Sequence, residues 1–214
     1  MTGAETRRRL LQVALGAAPA DLLVVGGDVV NVYTGEVVRW DVAVADGRIA
    51  AVGDGAVLAD PASDLLLAAV CDRRSGLRRG LGVVQGFGLR EGAVASTLSF
   101  DTADLVLVGA SREALAAAGR RAVELRGGFV VVDGQGAVRA ELALPLGGVA
   151  AAASVPEVAQ ALDGVVAALR GLGCGLARPL LTLQTLTFSA IPALRLTTRG
   201  LLAVKSRQHV PALL

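Results

Sequence analysis

With 214 residues, 53% hydrophobic, 3% aromatic and 19% charged, and a net charge of +2, the chain is long enough for one domain or two small ones around a substantial core. Mean hydropathy is positive, at +0.59, yet the longest stretch free of charged residues, Pro179 to Leu194, falls short of the ~18–20 apolar residues of a membrane span and includes Thr, Gln and Ser, so no membrane association is expected. A near-balanced charge and few aromatics supply neither the electrostatic groove nor the stacking platform that nucleic-acid binding requires.

At the N-terminus, Arg7, Arg8 and Arg9 followed by Leu10–Ala18 and Ala18-Pro19-Ala20 imitate a secretory leader, but Gln12 and Gly16 interrupt the apolar run. Leu10, Leu11, Ala14 and Leu15 share one helical face, so residues 4–16 are expected to form a short amphipathic helix closed by Gly16. From Asp21 the period becomes that of strands. Val24, Val25, Val29, Val30 and Val32, a turn at Tyr33-Thr34-Gly35-Glu36, the alternating run Asp41–Val44, an Asp46-Gly47 hairpin signal and Arg48–Val52 read as a compact antiparallel meander, a partial β-sandwich. Gly53 to Asp64 is rich in Gly, Asp, Pro and Ser and marks the boundary, dividing the chain into 1–53 and 54–214.

Strands are expected next at Leu65–Cys71, Leu81–Gln85, Ala93–Leu98 and Asp104–Val108. Ser111 caps a helix reaching Arg126, whose Leu115, Ala118, Ala122 and Leu125 line one face and which Gly127-Gly128 stop. Phe129–Val132 and Ala137–Leu142 form a hairpin across Asp133–Gly136, and Ser154-x-x-Glu157 announces a helix running to Arg170. The expected fold class is therefore α+β: an N-terminal β-meander, then a mixed domain resembling a split βαβ unit, with helices packed on one face of a sheet and no TIM barrel.

Few motifs carry chemistry. Gly80-x-Gly82 with Gly86 and Gly88 has Gln85 where a dinucleotide fingerprint needs its third glycine, and tight strand packing around Phe87 explains these residues better. Ser111 fails the G-x-S-x-G pattern and reads as a cap. Cys71 and Cys174 lie far apart with no histidine beside them and are expected as buried small hydrophobes in a reducing, cytoplasmic setting. His209 lacks an H-x-H or H-E-x-x-H partner and reads as a surface or packed side chain. The polar segment Ser96–Asp104 is the one place beside a strand end where carboxylates, Asp101 and Asp104, could share a concavity, although turn formation uses the same residues.

Two separated stretches resemble the adenine deaminases of the metal-dependent amidohydrolase superfamily. The first runs from Ala20-Asp21-Leu22-Leu23 through Asn31-Val32-Tyr33-Thr34-Gly35-Glu36 to Gly47–Gly53, and is similar to the strands that begin the family's small β-domain. The second is more specific: Asp60-Pro61, Asp64-Leu65-Leu66, Gly86–Ser96, Gly127-Gly128, Leu142–Leu146 and Ile191–Thr197 resemble the family's C-terminal domain. In the family a long metal-binding barrel lies between these parts, and here Val52-Gly53 passes directly into the C-terminal pattern. Where the family carries histidine-aspartate-serine-histidine-asparagine, this chain has Phe100-Asp101-Thr102-Ala103-Asp104: Asp101 is retained, Thr102 keeps a hydroxyl, and both histidines are replaced. Arg74 stands where another family histidine commonly follows an arginine.

The resemblance implies hydrolytic deamination of adenine to hypoxanthine and ammonia, a reaction in which a divalent metal, Mn or Fe, activates water. One histidine cannot build the histidine-rich site, so no cofactor or metal is expected for this chain, which is read as inactive alone. By motif match, Asp101 and Thr102 are the candidate catalytic residues and Asp104 the candidate substrate contact. Loss of a barrel leaves apolar surface, so the expected partners are a second copy of the chain or a barrel-bearing subunit, with adenine as the small-molecule ligand. A non-catalytic purine-binding or interaction module, or one half of a split deaminase, are the alternative functions.

Overall fold

Alternating small and branched apolar residues build the first unit of the computed structural model, which describes residues 3–14, 18–30, 37–53, 62, 64–100 and 102–210. Two compact units emerge, Met1–Leu58 with Pro211–Leu214, and Ala59–Val210. In the first, strands β1 (Leu22–Val30), β2 (Val37–Ala45) and β3 (Arg48–Gly53) form an antiparallel sheet in that order, accompanied by helix α1 (Gly3–Ala14). Ala43 and Ala45 are fully buried with Val13 of α1, because their small side chains let the helix approach the strands. Asp46 and Gly47 both take positive φ, at 50° and 70°, as a tight Asp-Gly hairpin turn demands. Arg9 pairs with Asp21 and Asp46, tying α1 to this turn. The expected turn at 33–36, the stop at Gly16 and most of the expected boundary at 53–64 lie outside the described residues.

The second unit is built on a six-stranded sheet in the order β5 (Arg79–Gln85), β4 (Leu65–Cys71), β7 (Leu105–Gly109), β6 (Ala93–Ser96), β8 (Gly128–Val132), β9 (Val138–Ala143), with every neighbouring pair antiparallel. Since β7 and β8 both oppose β6, they run parallel to each other with β6 between them. Helix α2 (Arg112–Glu124) connects them, which makes β7–α2–β8 a split βαβ unit.

Helices cover both faces of this sheet, where one face was expected. On one side Ala114, Ala118 and Ala122 of α2 pack against Ala95, Leu107 and Val130. On the other, Val165 and Leu169 of α3 (Val155–Gly171) and Leu183 of α4 (Pro179–Thr185) pack against Val94, Val106, Phe129 and Val131. The reason lies in the strands themselves, for β6, β7 and β8 are buried along their whole length and have no polar face to leave in water. A third sheet, β10 (Leu194–Thr197), β11 (Gly200–Ala203) and β12 (Gln208–Val210), follows α4, in a region where the sequence reading assigned no element. It explains Gly80: a Cβ there would lie 1.8 Å from the Thr197 carbonyl, so only glycine lets β10 approach β5.

Local devices hold the helices as the sequence predicts. The Ser111 hydroxyl accepts from the Ala114 amide at 3.1 Å. Glu157 accepts from both the Ser154 amide, at 2.8 Å, and its hydroxyl, at 2.6 Å, and these bonds hold its carboxyl below the usual range. Among the described residues, α2, α3, α4 and α1 and twelve strands leave no closed barrel.

Glu141 on β9 accepts two bonds from the Arg121 guanidinium of α2, both at 2.8 Å. Arg121 thereby holds the Glu141 carboxyl below its ordinary value of 4.5, against the opposing effect of burial. A carboxylate depressed in the native state stabilises the fold above its unfolded pKa and loses that contribution as pH falls through the native value. Urea denaturation across pH should therefore show wild type losing stability below pH 4.5 more steeply than Glu141→Gln; parallel curves would remove this pair from the acid response.

Candidate functional site

At one end of the six-stranded sheet the ladders stop, and backbone groups there need other partners. β6 ends at Ser96 and β8 begins at Gly128, with Thr97 between them in space. The Thr97 amide donates to the Gly128 carbonyl at 3.1 Å. Its buried hydroxyl donates to the Gly148 carbonyl at 2.6 Å and accepts from the Gly128 amide at 2.8 Å. One hydroxyl thus joins three segments distant in sequence. Gly127 permits this, at φ +114°, because a Cβ there would lie 2.5 Å from Gly148 Cα and 2.8 Å from Thr97 Oγ1.

The next residues close a tight loop before β7. Ser99 Oγ donates to the Asp104 carbonyl at 2.8 Å, the Ala103 amide donates to the Ser99 carbonyl at 3.2 Å, and the Asp104 amide donates to Thr102 Oγ1 at 3.3 Å. Asp104 is buried, and its Oδ1 accepts from the Arg73 amide at 3.4 Å. Thr102 is exposed. Asp101 lies outside the described residues. Of the three residues named from sequence, Asp104 and Thr102 therefore meet in one loop through a backbone bond, which is the turn-forming role of such residues.

Arg73 was missed by the sequence reading. From the β4–β5 turn its Nη1 donates to the Gly147 carbonyl at 2.5 Å, and a Cβ on Gly148 would fall 1.7 Å from the same nitrogen. The paired glycines at 147 and 148 were the available signal, since such pairs mark close approach of another group. The turn itself is shaped by Asp72, whose carboxylate accepts from the Arg74 and Ser75 amides and the Ser75 hydroxyl. Those bonds, led by the Ser75 hydroxyl, keep its carboxyl below the usual range. Arg74 is exposed on this turn. Segments 72–79, 97–104 and 144–150 thus converge at one sheet end.

Chemically this end is rich in turn bonds and poor in reactive groups. Cys71, beside it, has its thiol pushed up by burial, with Arg79 opposing and Asp104 reinforcing, so it stays protonated near neutral pH. Burial likewise raises the Cys174 thiol. His209 lies on β12, opposite Leu202 in the third sheet. Among the described residues, no three of His, Cys, Asp and Glu gather as a metal-ligand set. An apolar cavity of about 490 Å³ adjoins the segment, lined by Leu98, Phe129, Leu144, Val158 and Leu162, with Gln184 its one polar residue among those described. No described helix is long and apolar enough to cross a membrane.

Loss of the Thr97 hydroxyl strands two buried backbone groups. Thr97→Val should cost about 1–3 kcal/mol in urea denaturation, and Thr97→Ser, which keeps the hydroxyl, should cost less; a Thr97→Val variant as stable as wild type would remove these two bonds from the support of the fold.

A profile of the adenine deaminase C-terminal domain family matches residues 45–208. The match begins at the last residue of β2, so the first two strands almost entirely precede it. Adenine deaminase of Methylobacterium sp. (strain 4-46) is 44% identical over 158 residues, covering 74% of this chain and 28% of that protein. Adenine deaminase of Methanothrix thermoacetophila is 38% identical over 161 residues, with 75% and 28% covered. That of Archaeoglobus fulgidus is 37% identical over 180 residues, with 83% and 30% covered. Over the aligned residues, the chain spans less than a third of the length of these curated relatives.

Proposed function

The chain belongs to the adenine deaminase C-terminal domain family, and we propose that it acts as the accessory part of an adenine deaminase-like assembly, without deaminating adenine by itself. In this reading the sheet end built by segments 72–79, 97–104 and 144–150 borders a reaction centre supplied by a barrel-bearing chain. The observation that carries it is the convergence of those segments, each containing residues of the family pattern, at one sheet end where hydrogen bonds between segments hold them together.

Replacing the amino group of adenine by hydroxyl needs water made nucleophilic near neutral pH, the task of the family's divalent metal. Among the described residues, no set fits such an ion. The chain's single histidine is on β12, and the Asp104 carboxylate is buried and engaged by the Arg73 amide. Thr102 and Arg74 are among the exposed residues of this end at family motif positions, and their role in this reading is to line the reaction centre rather than to perform chemistry.

The test is ammonia release from adenine by the purified chain supplied with Mn, Fe or Zn. No release above a protein-free blank is expected, and metal-dependent turnover would overturn the reading. Titration calorimetry with adenine separates the rival function: heat that vanishes in both Thr102→Ala and Asp104→Ala would make the chain a purine-binding module instead.

A further inference from the structure

The apolar cavity of about 490 Å³ beside segment 97–104 is lined entirely by residues of the second unit, so its walls are set within that unit. Its volume falls in the roughly 300–1,000 Å³ range of small-molecule sites. Phe129, Leu142 and Leu144 are buried and form its floor. Val158 and Leu162 of α3 and Gln184 of α4 make the sides, and the exposed Val149 and Val155 stand at the mouth.

An apolar void forfeits packing contacts, and a wall that is free to move closes it. Here the walls are braced. The loop that carries Val149 and Ala151 is anchored where Thr97 Oγ1 donates to the Gly148 carbonyl at 2.6 Å and Arg73 Nη1 to the Gly147 carbonyl at 2.5 Å. Within the loop the Leu146 amide donates to the Ala150 carbonyl at 3.1 Å. α3 is fixed at its start by Glu157, which accepts from the Ser154 amide, and α4 is tied to segment 97–104 by the Phe100 amide, which donates to the Gln184 carbonyl at 3.4 Å. Hydrogen bonds thus keep open a space that packing alone would close.

No ionisable side chain lines the cavity, so a charged guest would lose its hydration without gaining a counter-charge. Gln184 brings the one polar side chain, and that amide has no hydrogen-bond partner among the described residues. A guest with a single donor or acceptor satisfies it. We propose that this cavity is a binding site for a neutral, mainly aromatic or hydrocarbon small molecule that carries one group able to pair with the Gln184 amide. The inference goes beyond the accessory role and does not rest on it, since binding is measured without deamination.

Calorimetric titration of the full chain with indole, an apolar bicycle with one N–H, tests it. Saturable binding at a single site, with a Kd of about 1 mM or tighter, is expected, and indole-3-carboxylate, a related ring made anionic, should show none. Gln184→Leu should weaken indole about three- to tenfold and leave 1-methylindole, which lacks the donor, unchanged. Val158→Phe should fill the cavity and abolish binding of both probes, with an unchanged far-UV circular dichroism spectrum. If that variant misfolds, the comparison of the two probes on Gln184→Leu decides the matter. A wild type that binds neither indole nor 1-methylindole at millimolar concentration overturns the proposal. So does a folded Val158→Phe that binds as wild type does, an indole affinity untouched by Gln184→Leu, or a carboxylate that binds as tightly as indole.

Discussion

Every residue of β6, β7 and β8 is buried, on both faces of the sheet, and a sheet without a wet face has to be covered twice. The three-layer arrangement of the second unit follows from that constraint. α2 meets one face with alanines, which bring its axis close to Ala95 and Leu107. α3 and α4 meet the other with Val165, Leu169 and Leu183, where the larger Phe129 needs more room. The choice of small residues on one side and large on the other sets which helix fits where. Glu141 and Arg121 then fasten α2 to the outermost strand, β9.

Covering both faces leaves the strand ends as the places where polar backbone meets solvent, and the candidate site is one such end. Its side chains mostly complete the hydrogen bonding of backbone that the ladders leave unpaired: Thr97 for Gly128 and Gly148, Ser99 and Thr102 for Asp104, and Asp72 for its own turn. A surface so composed holds its shape without a bound ligand. That property supports the accessory role proposed above.

Much of the local structure was legible in the residues. Asp46-Gly47 specified a tight turn, Ser111 a cap, and Ser154 with Glu157 a helix start, because each device acts within four residues and needs no distant partner. The split βαβ order was also readable. Placement of helices on both faces was not, since short apolar runs such as Ala93–Ser96 look the same whether one side or both are buried. The candidate site was half legible: the polar segment 96–104 stood out, but Arg73 did not, because its partner Gly147 is 74 residues away along the chain.

The sequence by itself determined the family, the α+β class and the period-two pattern of β2, in which Val38, Trp40, Val42 and Val44 alternate with Arg39, Asp41, Ala43 and Ala45. Periodicity assigns residues to two faces without saying which one a helix will occupy. Only the tertiary structure decided that α1 lies on the alanine side, where small side chains allow close approach, and so left the valines and Trp40 on the other.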